Sequence, residues 1–206
     1  MQTLAVDLDG YTDLPPGRLA NVVTYLETTA PPTASPRPAP PGVVLEPLGA
    51  ADVARFRRLF AAVGEPWLWF GRAALDDAAL AALLGDPGLW CRAVTRDGVD
   101  VGLLELDGRI AGEVELSYFG LVPTAIGSGL GRWLMDVALA TAWERRPRRV
   151  WVHTCHFDHP DALAFYRRSG FRPYKFAVEL SPDPRLTGLL PRSAAPHVPL
   201  IDPPEA

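Results

Sequence analysis

The sequence predicts an α/β chain of the α+β kind, in which strand-like runs alternate with amphipathic helices. Three observations lead there. Runs at about 89–95, 100–107 and 111–122 follow one another through Arg96-Asp97-Gly98 and Asp107-Gly108, which are hairpin signals. A glycine-rich loop after Pro123 then separates a strand pattern from a helix pattern. Finally, strand, helix and strand patterns recur from Arg149 to Leu180.

Composition bounds the answer. The chain has 206 residues, enough for one sizeable domain with an appendage. It is 48% hydrophobic with a mean hydropathy of +0.06, which indicates a globular protein. No apolar run approaches the roughly eighteen residues of a membrane span. Asp7, Asp9 and Asp13 near the start, without a basic and then apolar region, argue against a signal peptide, so a cytoplasmic location is expected. Cys91 and Cys155 do not make a disulfide framework and read as core residues. A net charge of −4 gives no general attraction to nucleic acid. The cluster Arg145-Arg146-Pro147-Arg148-Arg149 reads as a solvated helix end and turn.

The elements follow in order. Leu4, Val6 and Leu8 alternate within 3–8, and 19–26 is β-prone around Val22-Val23-Thr24-Tyr25. Turn residues at Asp9-Gly10 and Pro15-Pro16-Gly17 lie between them, so residues 1–29 read as a hairpin extension that either precedes the main sheet or extends it. Six of the twelve residues 30–41 are proline, a stiff extended linker. The main domain, 42–180, opens with a strand at Val43-Val44-Leu45. A helix follows from Asp52, with Val53, Phe56, Phe60 and Val63 near helical spacing and Gly64 as its stop. Glu65–Phe70 forms an aromatic loop, and a short helix runs from about Asp76 to Leu84. After the three hairpin strands, Gly129 to Arg145 reads as a helix with Leu130, Leu134, Val137 and Ala138 on one face. Arg149–Thr154 is an apolar strand, 160–169 a helix capped by Gly170, and Tyr174–Leu180 the last strand. The Pro-rich tail 181–206 is expected on the surface.

The stretch Tyr118–Trp133 says most about function. A strand that feeds Gly127, Gly129 and Gly131 into a helix start makes an anion pocket. Glycines let backbone N–H groups approach phosphate oxygens, and the helix N-terminus adds partial positive charge. A P-loop needs Gly-Lys-Ser/Thr, but Arg132 and Trp133 follow Gly131; a dinucleotide fingerprint needs glycine at Arg132. A glycine run alone is also compatible with a plain turn.

The segment resembles the acetyl-CoA loop of the Gcn5-related N-acetyltransferase (GNAT) family, Val-x-Pro-x-x-Arg-Gly-x-Gly-x-Gly/Ala, at Leu121, Pro123, Gly127, Gly129 and Gly131. Ile126 stands where the family has a basic residue, and Arg132 is the candidate replacement. Residues 159–171 resemble the family's late signature at Ala162, Phe165, Tyr166, Gly170 and Phe171, with His159 in place of the usual Asn. The resemblance spans roughly residues 42–180 and implies the GNAT acyl-CoA N-acyltransferase fold, a mixed central sheet with helices on both faces. It implies acetyl-CoA as co-substrate, held by backbone at Leu121 and Val122 and by the loop residues Ile126, Gly127, Ser128, Gly129, Leu130, Gly131 and Arg132, with His159 nearby. It also implies Tyr166 as the acid that donates to the coenzyme A sulfur, although a tyrosine there also serves packing.

Glu115, six residues before Leu121 on one strand, is the base candidate and matches the base position of the family's histone-acetylating branch. A carboxylate partly buried beside an apolar cofactor can accept a proton. Glu113 is the same-face alternative. Trp67 and Trp69, with Phe70, border the acceptor side in the family; the same rings could equally plug the core. His153, Cys155, His156, Asp158 and His159 crowd together, but alternation splits them and no second ligand pair of zinc spacing exists, so no metal is expected. His156 and Asp158 are expected in the acceptor cleft or as a bridge between strand and helix. The resemblance implies an acetyl-CoA-dependent N-acetyltransferase acting by direct transfer to a small amine or an exposed amino group, with no nucleic-acid or membrane partner and with homodimerisation open. The alternatives are a non-catalytic acyl-CoA-binding sensor, or a transferase using a longer acyl group or a hydroxyl acceptor.

Overall fold

The chain folds in the order β1 (Arg18–Thr28), β2 (Val43–Leu48), α1 (Val53–Gly64), α2 (Asp77–Leu84), β3 (Leu89–Arg96), β4 (Val99–Asp107), β5 (Glu113–Leu121), α3 (Leu130–Glu144), β6 (Arg149–Cys155), α4 (Ala162–Arg168) and β7 (Arg172–Pro182). These come from a computed structural model that describes residues 4–204. The strands form one sheet in the order β2-β3-β4-β5-β6-β1-β7. Neighbours are antiparallel except β5 and β6, which are parallel. The sheet is therefore mixed.

Helices cover both faces because the central strands are apolar on both sides. On β4, Leu103 joins Phe56, Phe60, Val63 and Leu80 beneath α1 and α2. The next residue, Leu104, joins Leu130, Leu134, Ala138, Val150 and Val152 beneath α3. Local signals hold where they were strong. Asp76 caps α2 by accepting from Ala79 N at 2.8 Å, and Gly170, at φ +97°, lets the chain leave α4 left-handed.

The N-terminal hairpin is corrected. Residues 4–8 form no strand, and residue 3 lies outside the described residues. The β-prone run 19–26 is a strand, but it lies inside the main sheet. β1 pairs Val23–Thr28 with β6 and Arg18–Glu27 with β7. Both of its edges are occupied, so residues 4–8 have no edge to join. They turn locally instead, with Asp7 N donating to Thr12 Oγ1 and Asp9 N to Asp7 Oδ1. The proline linker carries the chain from β1 to β2 at the far edge. An ion pair of 2.8 Å between Arg37 Nε and Asp136 Oδ2 ties it to α3.

The tail is also corrected, because part of it is core. Arg185 and Asp183 are buried and pair at 2.7 Å. Arg185 also donates to the carbonyls of Ala194, Val198 and Pro199, so the tail closes around one guanidinium. Burial would raise the Asp183 carboxyl, but hydrogen bonds from Arg185 hold it below the usual carboxylate range. Leu190, Ala194, Ala195 and Val198 then pack with Leu68 of the aromatic loop and Phe157 after β6.

Removing residues 1–29 would leave β6 and β7 without their shared neighbour. The truncated chain is expected to lose its cooperative thermal transition by circular dichroism. Removing residues 1–14 leaves β1 intact and is expected to move that transition by only a few degrees. A native-like transition without residues 1–29 would contradict the placement of β1.

Candidate active site

β5 and β6 are joined by three residue pairs only: Glu113 with Arg149, Val114 with Val150 and Glu115 with Trp151. Past Glu115 the register of β5 against β4 shifts at Ser117, because Glu105 faces Tyr118 while Leu106 faces Leu116. A bulge of this kind bends the strand. Past it β5 and β6 separate, and a cleft of about 750 Å³ opens, lined by both strands, α4, the glycine loop and the aromatic loop.

The glycine loop lies along this cleft. Gly127 and Gly129 both adopt φ +80°, and a Cβ at either position would meet nothing within 4 Å. Glycine is thus required by backbone conformation, and the space beside it is open. Gly129 starts α3, and Arg132 and Trp133 N–H return to its carbonyl. The first amides of the helix, Leu130 and Gly131, have no backbone partner among the described residues. Arg132 and Arg168 also line the cleft and form no ion pair among the described residues. Unpaired amides, a helix start and two free guanidinium groups suit a diphosphate. Val122 N is committed to Val101 O on β4 at 3.0 Å. By strand alternation, the backbone of Leu121 and Phe119 faces the opened gap instead.

Glu115, Tyr166 and His153 line the same cleft. His153 Nδ1 lies 3.3 Å from Glu115 Oε1, which leaves Oε2 without a partner among the described residues. Hydrogen bonding to Glu115 raises the His153 pKa, against the opposing effect of burial. Tyr166 packs its ring edge-on to Phe119 and Phe171, and burial lifts its hydroxyl well above the ordinary tyrosine range. It is a neutral donor. Cys155 also lines the cleft, and burial pushes its thiol up to about 11, so it is not a thiolate at neutral pH.

Asp158 braces the aromatic-loop side of the cleft. One oxygen accepts from Thr154 Oγ1 at 2.6 Å and Cys155 N at 2.9 Å, and the other from Trp69 Nε1 at 3.3 Å. Trp69 fits because its neighbours are glycines. A Cβ on Gly64 would lie 2.5 Å from Trp69 Cβ, and one on Gly120 3.0 Å from its Cη2. Trp67 packs against His159 and His197, so the tail touches the cleft wall. Two residues past the aromatic loop, Arg72 Nη2 meets Glu105 Oε1 at 2.6 Å. Glu105 is 0% exposed. Burial raises its pKa although Arg72 works in the opposite direction. The guanidinium stays charged, and the pair fastens the loop to β4.

Several sequence candidates lie elsewhere. Glu113 accepts from Arg149 at 2.8 Å at the closed end of the β5–β6 pair. His156 Nδ1 accepts from Val22 N at 3.2 Å and does not line the cleft. Ser128 Oγ donates to Ala125 O at 2.7 Å, and Leu130 is in the core. Trp67, Trp69, Leu121, Ile126, Gly127, Gly129, Gly131, Arg132 and His159 do line the cleft. Sequence reasoning did not single out His153 as a partner of Glu115, nor Asn21 and Glu179, which also line it. Alternation places His153 on a definite face, but only the β5–β6 pairing brings it beside Glu115. Among the described residues no three His, Cys, Asp or Glu side chains are arranged to hold a metal. No helix among them is long and apolar enough to cross a membrane.

The description "Acetyltransferase (GNAT) family" belongs to a family model that matches residues 55–171. No curated protein matches the chain. Among solved structures it is similar to a GCN5-related N-acetyltransferase from Sphaerobacter thermophilus, at 18% identity and a TM-score of 0.59, over 79% of this chain and 51% of that one. It therefore spans about half the length of that relative. A putative acetyltransferase of the GNAT family from Novosphingobium aromaticivorans follows, at 20% identity and a TM-score of 0.56, over 82% of this chain and 69% of that one. An aminoglycoside acetyltransferase from an uncultured soil metagenomic sample, in complex with trehalose, shares 20% identity with a TM-score of 0.50, over 62% of this chain and 87% of that one. At these identities the structures support the fold.

Arg72→Met would leave Glu105 buried without its counter-charge, a change expected to cost roughly 3 kcal/mol in urea unfolding. In the parent Arg72 opposes the rise that burial gives the Glu105 pKa; without it that pKa climbs further above its unfolded value, so the variant's stability should fall more than the parent's as pH rises above the usual carboxylate range. The deficit against the parent should be larger at pH 8 than at pH 5. An equal deficit at both would contradict this action of Arg72 on Glu105.

Proposed function

The chain belongs to the acetyltransferase (GNAT) family, and on that premise we propose that it transfers an acetyl group from acetyl-CoA directly to an amine. The observation that carries this reading is the convergence of Glu115, Tyr166 and the glycine loop on one cleft. Acetyl-CoA, when bound, supplies the thioester. Amides from Gly127 to Gly131, with Arg132 in place of the basic residue that Ile126 replaces, hold the diphosphate. The backbone of Leu121 faces the gap and receives the pantetheine.

The acceptor enters from the side of Trp67, Trp69 and Phe70. Glu115 gives the cleft negative charge, which suits an amine arriving as an ammonium. His153 holds Oε1 of Glu115, and the free Oε2 takes the ammonium proton, directly or through water. The nitrogen lone pair then forms the new N–C bond as the C–S bond breaks. Tyr166 donates its hydroxyl proton to the departing sulfur and is reprotonated through water as the nitrogen gives up its second proton, and a raised pKa keeps the hydroxyl proton in place until charge develops there.

Acetyl-CoA is expected to raise the melting temperature, because a ligand that binds only the folded state adds RT ln(1 + [L]/Kd). Gly129→Asp puts bulk and negative charge where φ is +80° and should abolish that shift. An undiminished shift would refute the assignment of the loop.

An amine screen read by mass spectrometry, with acetyl-CoA and longer acyl-CoAs, identifies the acceptor and acyl group. With that acceptor, Tyr166→Phe is expected to lower kcat by roughly 10²–10⁴-fold while acetyl-CoA binding is nearly unchanged. Glu115→Gln should lower the rate most at low pH and recover partly as pH rises, since solvent then deprotonates the amine. A Tyr166→Phe enzyme with unchanged kcat would leave Tyr166 a packing residue.

A further inference from the structure

β7 is the last strand of the sheet, and its outer edge faces no other strand among the described residues. Edges of this kind are usually short, charged or interrupted by proline. The other edge, β2, is six residues long and contains Pro47. β7 is eleven residues long, and its prolines stand only near the ends, at 173 and 182. Between them, past a bulge at Tyr174, lies an uninterrupted run, Lys175 to Ser181, whose outward main-chain groups meet no other strand among the described residues.

The two faces of this run differ. On the α3 side Phe176 is 72% exposed and Val178 56%, with Leu180 beyond them. Val22, directly opposite Val178 on β1, is 51% exposed and extends the same apolar surface. On the other side stand Lys175, Ala177 and Glu179, opposite Tyr25, Val23 and Asn21. Lys175, the only lysine of the chain, has its Nζ 3.7 Å from the Tyr25 ring centre and makes no ion pair among the described residues. Glu179 accepts from Asn21 Nδ2 at 3.0 Å through Oε2 alone. A cation and a carboxylate oxygen on this edge are therefore both available to a partner.

We propose that β7 pairs antiparallel with β7 of a second copy of this chain, centred on Ala177, to make one continuous sheet across a two-fold axis. A two-fold perpendicular to the sheet keeps each face on its own side, so apolar residues meet apolar ones. Charge selects the register. Centring on Lys175 or on Glu179 sets like charges opposite each other. Centring on Phe176 or Val178 leaves both charges facing uncharged residues. Centring on Ala177 sets Lys175 opposite Glu179 of the second copy, twice, and Phe176 opposite Val178 on the other face, also twice. Pairing of β7 with a β2 edge would be head-to-tail and would not close into a dimer.

The 206-residue chain is expected to sediment at twice its 22.4 kDa mass at micromolar concentration. Phe176→Asp, at an exposed position, should make it monomeric with its circular dichroism unchanged. Lys175→Glu should weaken association by about tenfold or more, since two cross-strand pairs turn repulsive. Lys175→Glu combined with Glu179→Lys should restore it. Ala177→Cys places two thiols across the axis at a separation a disulfide can bridge, so mild oxidation should give a covalent dimer that the parent chain does not form. A monomeric parent at about 100 μM, an association indifferent to Lys175→Glu, open filaments, or no Ala177→Cys cross-link within an otherwise intact dimer would each overturn the proposal.

Discussion

The cleft depends on where β5 and β6 stop being neighbours, and Arg149 marks that boundary. Its guanidinium meets Glu113 on β5 at 2.8 Å and Glu27 on β1 at 3.0 Å, and lies 5.2 Å from the ring centre of Tyr174 on β7. One side chain thus ties β5, β6, β1 and β7 together at the closed end. A parallel pair held over three residues beside a bulge cannot stay zipped, and the strands separate above this pin. Glu113 serves the pin, while Glu115, two residues on, stands beside the opening. The same period of two that made them rival bases in the sequence separates them by role in the fold.

Once the sheet has opened, buried polar contacts shape the walls of the cleft. Asp158 bonds Thr154, Cys155 and Trp69 with two oxygens, which fixes the end of β6 against the aromatic loop. Arg72 and Glu105 fasten the other end of that loop to β4. Arg185 gathers the tail so that Leu190 and Val198 support Leu68 from behind. The buried pairs among these, Arg185 with Asp183 and Arg72 with Glu105, contribute little net stability, because desolvation offsets most of their attraction. Losing one partner is costly, however, so they favour a single arrangement of the loop over its alternatives.

The glycine loop and the place of Tyr166 beside the cleft were legible from the sequence, and the aromatic-loop wall was only partly so. Gly127 and Gly129 could be read because a left-handed backbone is a local demand that a residue type announces. Tyr166 could be read from its spacing to Phe165, Gly170 and Phe171 on one short helix and its cap. His153 could not be paired with Glu115, because periodicity gives a face of a strand but not its neighbour. Nor could Val122 be separated from Leu121, since which backbone amide faces the gap depends on the pairing of β5 with β4.

The sequence by itself determined the alternation of helices and strands, the glycine-rich start of α3 and the motifs of the acetyltransferase (GNAT) family, because each is encoded within a turn or two of chain. Only the tertiary structure decided the place of β1, the partner of Glu115, the folding back of the tail and the exposure of β7. The physical reason is distance along the chain. Val23 pairs with Cys155 and Ala177, residues far apart in sequence, and a β-prone run is equally compatible with any free edge. The choice among edges is made collectively, by which arrangement buries the most apolar surface while leaving the fewest main-chain groups unpaired.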